Sequence, residues 1–429
     1  MNNQYPLFSV IIPQKDRAEY LVHTLRTCMI QDYPNFQVIV SDDCSVDDSV
    51  EVATNLAKID SRIKVFAHTS HLGMRDNFEF ALNQVKEGYV MALGGDDGLT
   101  PGCIWRMYQI LQETGKSLLA WCPANFEYPA NESDDRNIFL VKRKRNKGVK
   151  IIKSSDFLNT IAKTFNYQID ECPMFYVKGI ASMDLVNRVK SRTKDGCFYY
   201  CPTPDGFSGV VLAGEVEDYA YTNEPLSIIG TTTKSQGKNY MRTDKKSREE
   251  AQQFFNDNIR RTMHSELASQ PYSPLQTLMT ADYLLTAKDL PGWPGQYKDI
   301  SFEELLRVTF RRLEIHQIRN EVLIRELKIL REIARQHGLE SLFNELMKST
   351  KRKVVRADQL YGFVITNSIR FEGSEIGINN IFDAAIATPF VYSFYNHFSF
   401  KSMLTMLKNE FKVLLRQNKY TVESLPQLD

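Results

Sequence analysis

The sequence predicts an α/β fold: a mostly parallel sheet flanked by helices, followed by a mainly α-helical C-terminal domain. Two observations predict it. From Phe8 to Cys122, short β-branched runs alternate with amphipathic helical patterns across short loops, which calls for a parallel sheet covered on both faces. Beyond about Lys245 the strand-like runs give way to helix starts. The expected division is residues 1–240 for the α/β domain and 241–429 for the helical one.

Phe8-Ser-Val-Ile-Ile12 reads as a buried strand. Asp16-x-x-Glu19 has capping-box spacing, and Leu21, Leu25, Cys28 and Met29 share a helical face. Phe36 to Val40 is the second strand, ending in Ser41-Asp-Asp-Cys-Ser45, and Ser45 with Asp48 looks like the next cap. Ile63 to Phe66 is a third strand, and Phe78, Ala81, Leu82 and Val85 line a third helix. The fourth strand, Tyr89 to Leu93, breaks at Gly94-Gly-Asp-Asp-Gly98, after which Thr100 and Pro101 are expected to cap and open a helix. Ser117 to Cys122 closes the series.

Further on, Phe175 to Met183 suggests a strand and a turn, and Asp205 precedes an apolar helical run ending at Ala213. Glu224 to Gly230 reads as a last edge strand, and Thr231 to Asn239 as a polar loop. Ser273-Pro274 starts a helix, and Ser301-x-x-Glu304 opens a long helical run toward Gly338.

Bulk properties narrow the function. Among 429 residues, Lys+Arg (53) balances Asp+Glu (52), so no nucleic-acid partner is indicated. Seven scattered cysteines without a Cys-x-x-Cys or His-rich context suggest reduced thiols in a cytoplasmic protein. The start of the chain lacks the basic and apolar regions of a secretory signal. Ala384 to Phe400 is too short to cross a bilayer, which needs about 20 apolar residues. Met403, Leu404, Leu407, Phe411, Leu414 and Leu415 form a stripe flanked by Lys401, Lys408, Lys412, Arg416 and Lys419. It reads as a core-facing helix, as a peripheral contact with the inner face of a membrane, or as a contact between copies in a homo-oligomer.

Carboxylates carry the chemistry. In parallel sheets ligands bind beyond the carboxyl ends of the strands. Asp16, Asp42-Asp43 and Asp96-Asp97 all follow strands predicted to end on that one edge. Hard cations take oxygen ligands, and Mg²⁺ needs only one or two carboxylates beside phosphate and water.

Ser9-Val-Ile-Ile-Pro13 with Asp16-Arg17, Val40-Ser-Asp-Asp-Cys-Ser45, Gly73 to Asn77, and Gly94-Gly-Asp-Asp-Gly98 resemble, in order and spacing, the family 2 glycosyltransferases of the GT-A fold. The resemblance covers about the first 125 residues and continues more weakly to about Ser235. It implies inverting, metal-dependent transfer of a sugar from a nucleotide-diphosphate sugar, UDP-linked for preference, to a hydroxyl of a saccharide or lipid-linked saccharide in cell-surface polysaccharide synthesis. It assigns Asp43 to the nucleotide base, Asp42 to the shape of that pocket, and Pro13 and Asp16 to the loop packed on the base. The family usually has Asn where this chain has Asp16, and helix capping is an equal reading of it. Asn77 falls near the nucleotide, Asp96 near the donor sugar or ribose, Asp97 on Mn²⁺ or Mg²⁺, and Asp205 on the acceptor proton as catalytic base. Asp170-Glu171 and Glu217-Asp218 compete for that last role, and Lys234 and Lys238 of the polar loop are suited to phosphate.

Two other classes fit less well. A nucleotidyltransferase would be expected to carry a glycine-rich phosphate loop after the first strand, and Pro13-Gln-Lys-Asp-Arg17 has none. A non-catalytic nucleotide-sugar-binding or scaffold protein has no need of carboxylates at all three loops.

Overall fold

A computed structural model of the chain describes residues 5–129, 137–142, 148–201, 203–235, 262–314, 320–355, 364–365, 368–396 and 420–424. The basic stripe of residues 401–419, Lys238, and residues 143–145 of the basic run lie outside these.

The first strands are buried on both faces. In β1 (Phe8–Gln14), Phe8, Val10 and Ile12 pack toward α1 (Ala18–Met29), while Ile11 joins the layer that holds Phe78, Ala81 and Leu82 of α3 (Met74–Asn83). Fully burying such a side chain is worth roughly 1.5–3 kcal/mol. A run without polar alternation therefore settles only where both faces are covered. β1 pairs in parallel with β2 (Phe36–Asp42) and with β4 (Tyr89–Ala92), and β2 with β3 (Ile63–Ala67). The register sets Gln14 opposite Asp42 and Asp42 opposite Ala67, so the loops after these strands share one edge.

The sheet continues through β10 (Gly179–Ser182), β6 (Leu118–Trp121), β11 (Asp218–Thr222) and β9 (Val149–Lys153), in the order β3-β2-β1-β4-β10-β6-β11-β9. β10 is antiparallel to both neighbours, so it interrupts the parallel series after β4. A second sheet, β14-β15-β8-β7-β12-β5, combines β5 (Gly98–Leu99), β7 (Ala124–Glu127), β8 (Ile138–Lys142), β12 (Ser227–Thr231), β14 (Val364–Ile365) and β15 (Ser368–Glu372). β13 (Lys351–Val355) and β16 (Tyr420–Ser424) pair separately.

Several local expectations are corrected. α1 is not capped by Asp16. Asp16 adopts the left-handed conformation (φ 53°), and the first amides of α1 are met from the following loop, Arg17 N by Ser49 Oγ at 2.9 Å and Ala18 N by Asp47 Oδ2 at 3.1 Å. Ser45 does not cap α2 (Ser49–Ile59), because its hydroxyl donates to Asp42 Oδ2 at 2.6 Å. α4 (Cys103–Thr114) starts later than Thr100-Pro101 suggests: Thr100 Oγ1 donates to Pro225 O, and Gly102 takes the left-handed position before the helix (φ 69°). β12 is an interior strand rather than an edge, between β7 and β5. The strand expected over 175–183 is confined to β10, with α6 (Met183–Lys190) following directly.

Asp47 is the unforeseen cap. Its carboxylate also accepts from Ser49 N and Ser49 Oγ, and these bonds outweigh its partial desolvation, holding it below the usual carboxylate range. Asp47→Ala is expected to cost about 1 kcal/mol, the usual value of a helix cap. Urea titration at neutral pH checks it. A depressed folded pKa means that the contribution is present above the unfolded carboxylate pKa and fades as pH falls through the folded one. The difference between wild type and variant should therefore shrink in acid.

The C-terminal region is mainly helical: α8 (Gln276–Lys288), α9 (Phe302–Leu313), α10 (Asn320–Gln336), α11 (Glu340–Ser349) and α12 (Ile381–Asn396). Ser301 caps α9 as its spacing predicts, accepting from Glu304 N at 3.2 Å. Leu305, Leu306, Phe310, Leu323, Leu327, Leu330 and Ile333 build its core. This region is not an appendage of helices alone. β15 pairs with β8, and Ile381, Ala384 and Ala385 of α12 pack with Phe126, Phe139 and Ile228 of the second sheet. No helix among the described residues is long and apolar enough to cross a membrane.

Candidate active site

The loop after β2 is built around two buried carboxylates. Asp42 accepts from Gln14 Nε2, from Ser45 N at 2.9 Å and from Ser45 Oγ. Asp43 accepts from Leu72 N at 2.6 Å and Gly73 N at 3.1 Å, with His71 Nδ1 at 2.8 Å. Asp43 thus holds the 71–73 loop over the edge of the sheet. Cys44, at φ 58°, turns the chain directly after these two aspartates. Pro13, next to last in β1, lies opposite Ser41. Asp16 Oδ1 accepts from Val46 N at 2.8 Å, so its carboxylate joins the β1 and β2 loops. Asn77 is spent internally: its amide donates to Ser41 O at 3.1 Å and accepts from Ser41 Oγ at 2.6 Å, and the residue is 3% exposed.

Beyond β4 the two aspartates are both buried but meet different partners. Asp97 is 1% exposed and accepts from Gly94 N at 2.7 Å and Gly230 N at 2.8 Å, with Tyr176 also hydrogen-bonded to it. Burial, and then the neighbouring charge of Asp96, push its carboxyl up to about 7. Asp96 accepts through Oδ2 from Thr232 Oγ1 at 3.1 Å and Ser235 Oγ at 3.5 Å. No hydrogen bond among the described residues reaches its Oδ1. Asp97 thus ties the turn after β4 to β12, while Asp96 meets the start of the polar loop through one oxygen.

The glycines here follow from close approach. A Cβ on Gly94 would lie 2.9 Å from Asp97 Oδ2, and one on Gly230 would run into the Asp96 carbonyl. Tyr176 comes from a pinched segment in which Val177 N donates to Ala92 O at 2.8 Å and Ala92 N to Phe175 O at 3.0 Å. Val177 has φ 63°, a conformation costly for a β-branched residue. The burial-raised Tyr176 hydroxyl feels the charges of Asp97, Asp96 and Asp205.

The described start of the polar loop closes on the first loop. Lys234 Nζ donates to Asp16 O at 2.7 Å, and Arg17 Nη2 to Lys234 O at 2.6 Å.

Asp205 lies in the first turn of α7 (Pro204–Gly214). Its Oδ2 accepts from Tyr167 Oη at 3.4 Å, while its buried Oδ1 has no hydrogen-bond partner among the described residues. Burial pushes the carboxyl up, opposed by the Gly206 and Asp205 amides, Tyr167 and Lys178. Two of its competitors are committed elsewhere, Asp170 to Lys142 at 2.6 Å and Asp218 to Lys116. Glu79, which sequence patterns passed over, accepts from Phe198 N at 2.8 Å and Tyr199 N at 2.9 Å and so anchors the segment leading to Asp205. Nothing in linear spacing joins residue 79 to residue 198. Gln14, Asp47, Tyr176 and Thr232 were missed for the same reason.

A divalent cation of the Mg²⁺ or Mn²⁺ kind needs one or two carboxylates when phosphates and water complete its shell. The open Asp96 oxygen fits that minimum. Among the described residues, no cluster of three or more His, Cys, Asp or Glu could hold a metal without such help.

The fold is thus a mostly parallel sheet flanked by helices, with carboxylates on the loops at the ends of its strands. Residues 9–166 match the model of glycosyl transferase family 2. One relative is the GalNAc(5)-diNAcBac-PP-undecaprenol beta-1,3-glucosyltransferase of Campylobacter jejuni, 35% identical over 109 residues (25% of this chain and 35% of the relative). Another is the putative teichuronic acid biosynthesis glycosyltransferase TuaG of Bacillus subtilis, 30% identical over 127 residues (28% and 50%). The matches thus span a third to a half of these relatives. Among solved structures, S. aureus TarS 1–349 in complex with UDP-GlcNAc aligns over 84% of this chain and 94% of its own at 13% identity, with a TM-score of 0.43.

Proposed function

We propose that the chain is an inverting glycosyltransferase that moves a sugar from a UDP-sugar to a hydroxyl of a saccharide or lipid-linked saccharide, at the cytoplasmic face of a membrane. The observation that carries the reading is the contrast at Gly94-Gly-Asp-Asp-Gly98, where Asp97 is consumed by the fold and Asp96 holds an oxygen open beside the β2 carboxylate loop. The seven free cysteines agree with a reducing compartment. The name of the Campylobacter jejuni relative, which describes a polyprenol-linked glycan, supports a lipid-linked acceptor.

Asp42 and Asp43 shape the nucleotide pocket, with Pro13 and Asp16 in its first wall. Asp43 also fixes the 71–73 loop, and Asn77 acts by holding Ser41. Asp96 would hold Mn²⁺ or Mg²⁺ with the diphosphate. The ion, when bound, neutralises charge gathering on the nucleotide-diphosphate leaving group. Asp205 Oδ1 takes the proton of the acceptor hydroxyl. The hydroxyl oxygen bonds to the anomeric carbon from the face opposite the departing phosphate oxygen, whose bond to that carbon breaks. Thr232, Lys234 and Ser235 cover the donor side.

The test is a panel of UDP-, GDP- and dTDP-sugars incubated with protein and Mg²⁺ or Mn²⁺, with hydrolysis and binding both read. One UDP-sugar is expected to bind and be slowly cleaved, and EDTA to suppress cleavage. No binding of any member of the panel would sink the reading, and cleavage indifferent to EDTA would remove the metal from it.

A further inference from the structure

We propose that the helical C-terminal region completes the base site, with Tyr283 and Tyr272 acting as positioning residues for Asp205 through Thr203. The inference rests on the proposed role of Asp205.

α8 is buried on every side: Thr277, Leu278, Met279, Thr280, Ala281, Asp282, Tyr283, Leu284 and Ala287 are all inside. Such a helix is an internal strut rather than an amphipathic cover. It packs on α7, the helix that carries Asp205, and on α5 (Ser154–Thr164).

The contacts converge on the residues around the carboxylate. Thr203 directly precedes α7, yet its hydroxyl caps no amide of that helix. It is paired instead with the Tyr283 hydroxyl and accepts from Tyr272 Oη at 3.4 Å. On the other side of Asp205, a Cβ on Gly206 would run into the Tyr283 ring and lie 2.8 Å from the Tyr167 ring. The backbone on both sides of the carboxylate is therefore set by Tyr283.

Tyr167 supplies the hydroxyl that reaches Asp205 Oδ2, and it rests on the same helix. Its amide donates to Thr280 Oγ1 at 3.2 Å, and its ring meets that of Tyr283 edge-on at 5.4 Å. One helix thus fixes the hydroxyl donor and the backbone of Asp205, leaving Oδ1 without a hydrogen-bond partner among the described residues. Buried tyrosines could serve packing alone. Packing does not require three hydroxyls joined at Thr203, and a Phe substitution keeps the ring while removing only the hydroxyl.

The experiment compares Tyr283→Phe, Thr203→Val, Thr203→Ser and Asp205→Asn in the full chain. Each is assayed for hydrolysis of the nucleotide-sugar that wild type cleaves best in the panel, for binding of that sugar, and for melting temperature from pH 4 to 9. Tyr283→Phe and Thr203→Val are expected to lower kcat about ten- to a hundredfold, the usual effect of a displaced reacting group. Donor affinity should stay unchanged, and the acid limb of the pH profile should move. Thr203→Ser, which restores the hydroxyl, should recover wild-type kcat and limb.

Wild-type kcat and acid limb in both Tyr283→Phe and Thr203→Val, with Asp205→Asn inactive, would overturn the positioning role and leave the base assignment standing. Full activity of Asp205→Asn would instead remove the base assignment. The melting curves need no turnover. The pH-dependent difference between wild type and Asp205→Asn reports the carboxyl itself, and an identical difference on the Tyr283→Phe background would also overturn the proposal.

Discussion

Asp205→Asn is expected to bind nucleotide-sugar as wild type does and to lose transfer by roughly two to four orders of magnitude, the range of a general base. The amide retains the size of the side chain and can still accept from Tyr167, so folding should survive. What it lacks is the capacity of Oδ1 to take a proton, and Oδ1 is the oxygen with no partner among the described residues. A base must be ionised to act. Because burial raises this carboxyl, wild-type activity should fall off in acid at a pH above the ordinary carboxylate range. Initial rates against pH, with donor binding measured in parallel, check both statements. Near wild-type turnover in the variant would show that the proton goes elsewhere.

Asp96→Asn and Asp97→Asn are expected to fail for different reasons. Asp96 meets the fold through two side-chain hydroxyls, so its amide variant should melt near wild type. It should lose metal-dependent turnover by on the order of 10²–10³-fold, as several kcal/mol of charge stabilisation disappear. In Asp97→Asn an NH₂ group faces one of the backbone donors, Gly94 N or Gly230 N. A buried donor left unsatisfied costs about 1–3 kcal/mol, so this variant should be both inactive and less stable.

The pH dependence separates the two further. Asp97 titrates higher in the folded chain than when unfolded, so folding takes up a proton between the ordinary carboxylate value and about 7. Apo-protein stability should rise as pH falls through that window, and Asp97→Asn should flatten the slope. Equal destabilisation by both variants, read by urea melts at pH 5 and pH 8, would erase the distinction.

Much of the α/β part was legible because its strands are apolar without alternation and only a doubly covered sheet accommodates them. The order of the carboxylate loops was legible for the same reason: strand ends in a parallel sheet share an edge. Helix starts were less so. Asp16-x-x-Glu19, Ser45 with Asp48, and Thr100-Pro101 all have capping patterns, yet the amides and hydroxyls there found partners from other loops. A short polar side chain can satisfy a local or a distant donor equally well, and spacing alone does not say which.

By itself the sequence determined the class of sheet, a family resemblance over about the first 125 residues, and which carboxylates follow strands that end on one edge. It also marked Asp205 as the acidic residue opening an apolar helix. Only the tertiary structure decided which partners each aspartate meets. Asp97 went to the backbone of β12, more than a hundred residues away in the chain, and Asp96 was left open. Thr203, two residues before Asp205, came to rest on tyrosines of the helical region, a contact no local pattern announces. The physical reason is the same in each case. Periodicity encodes burial along a segment, whereas the roles of buried polar atoms depend on which donors a long-range fold brings within 3 Å or so of them.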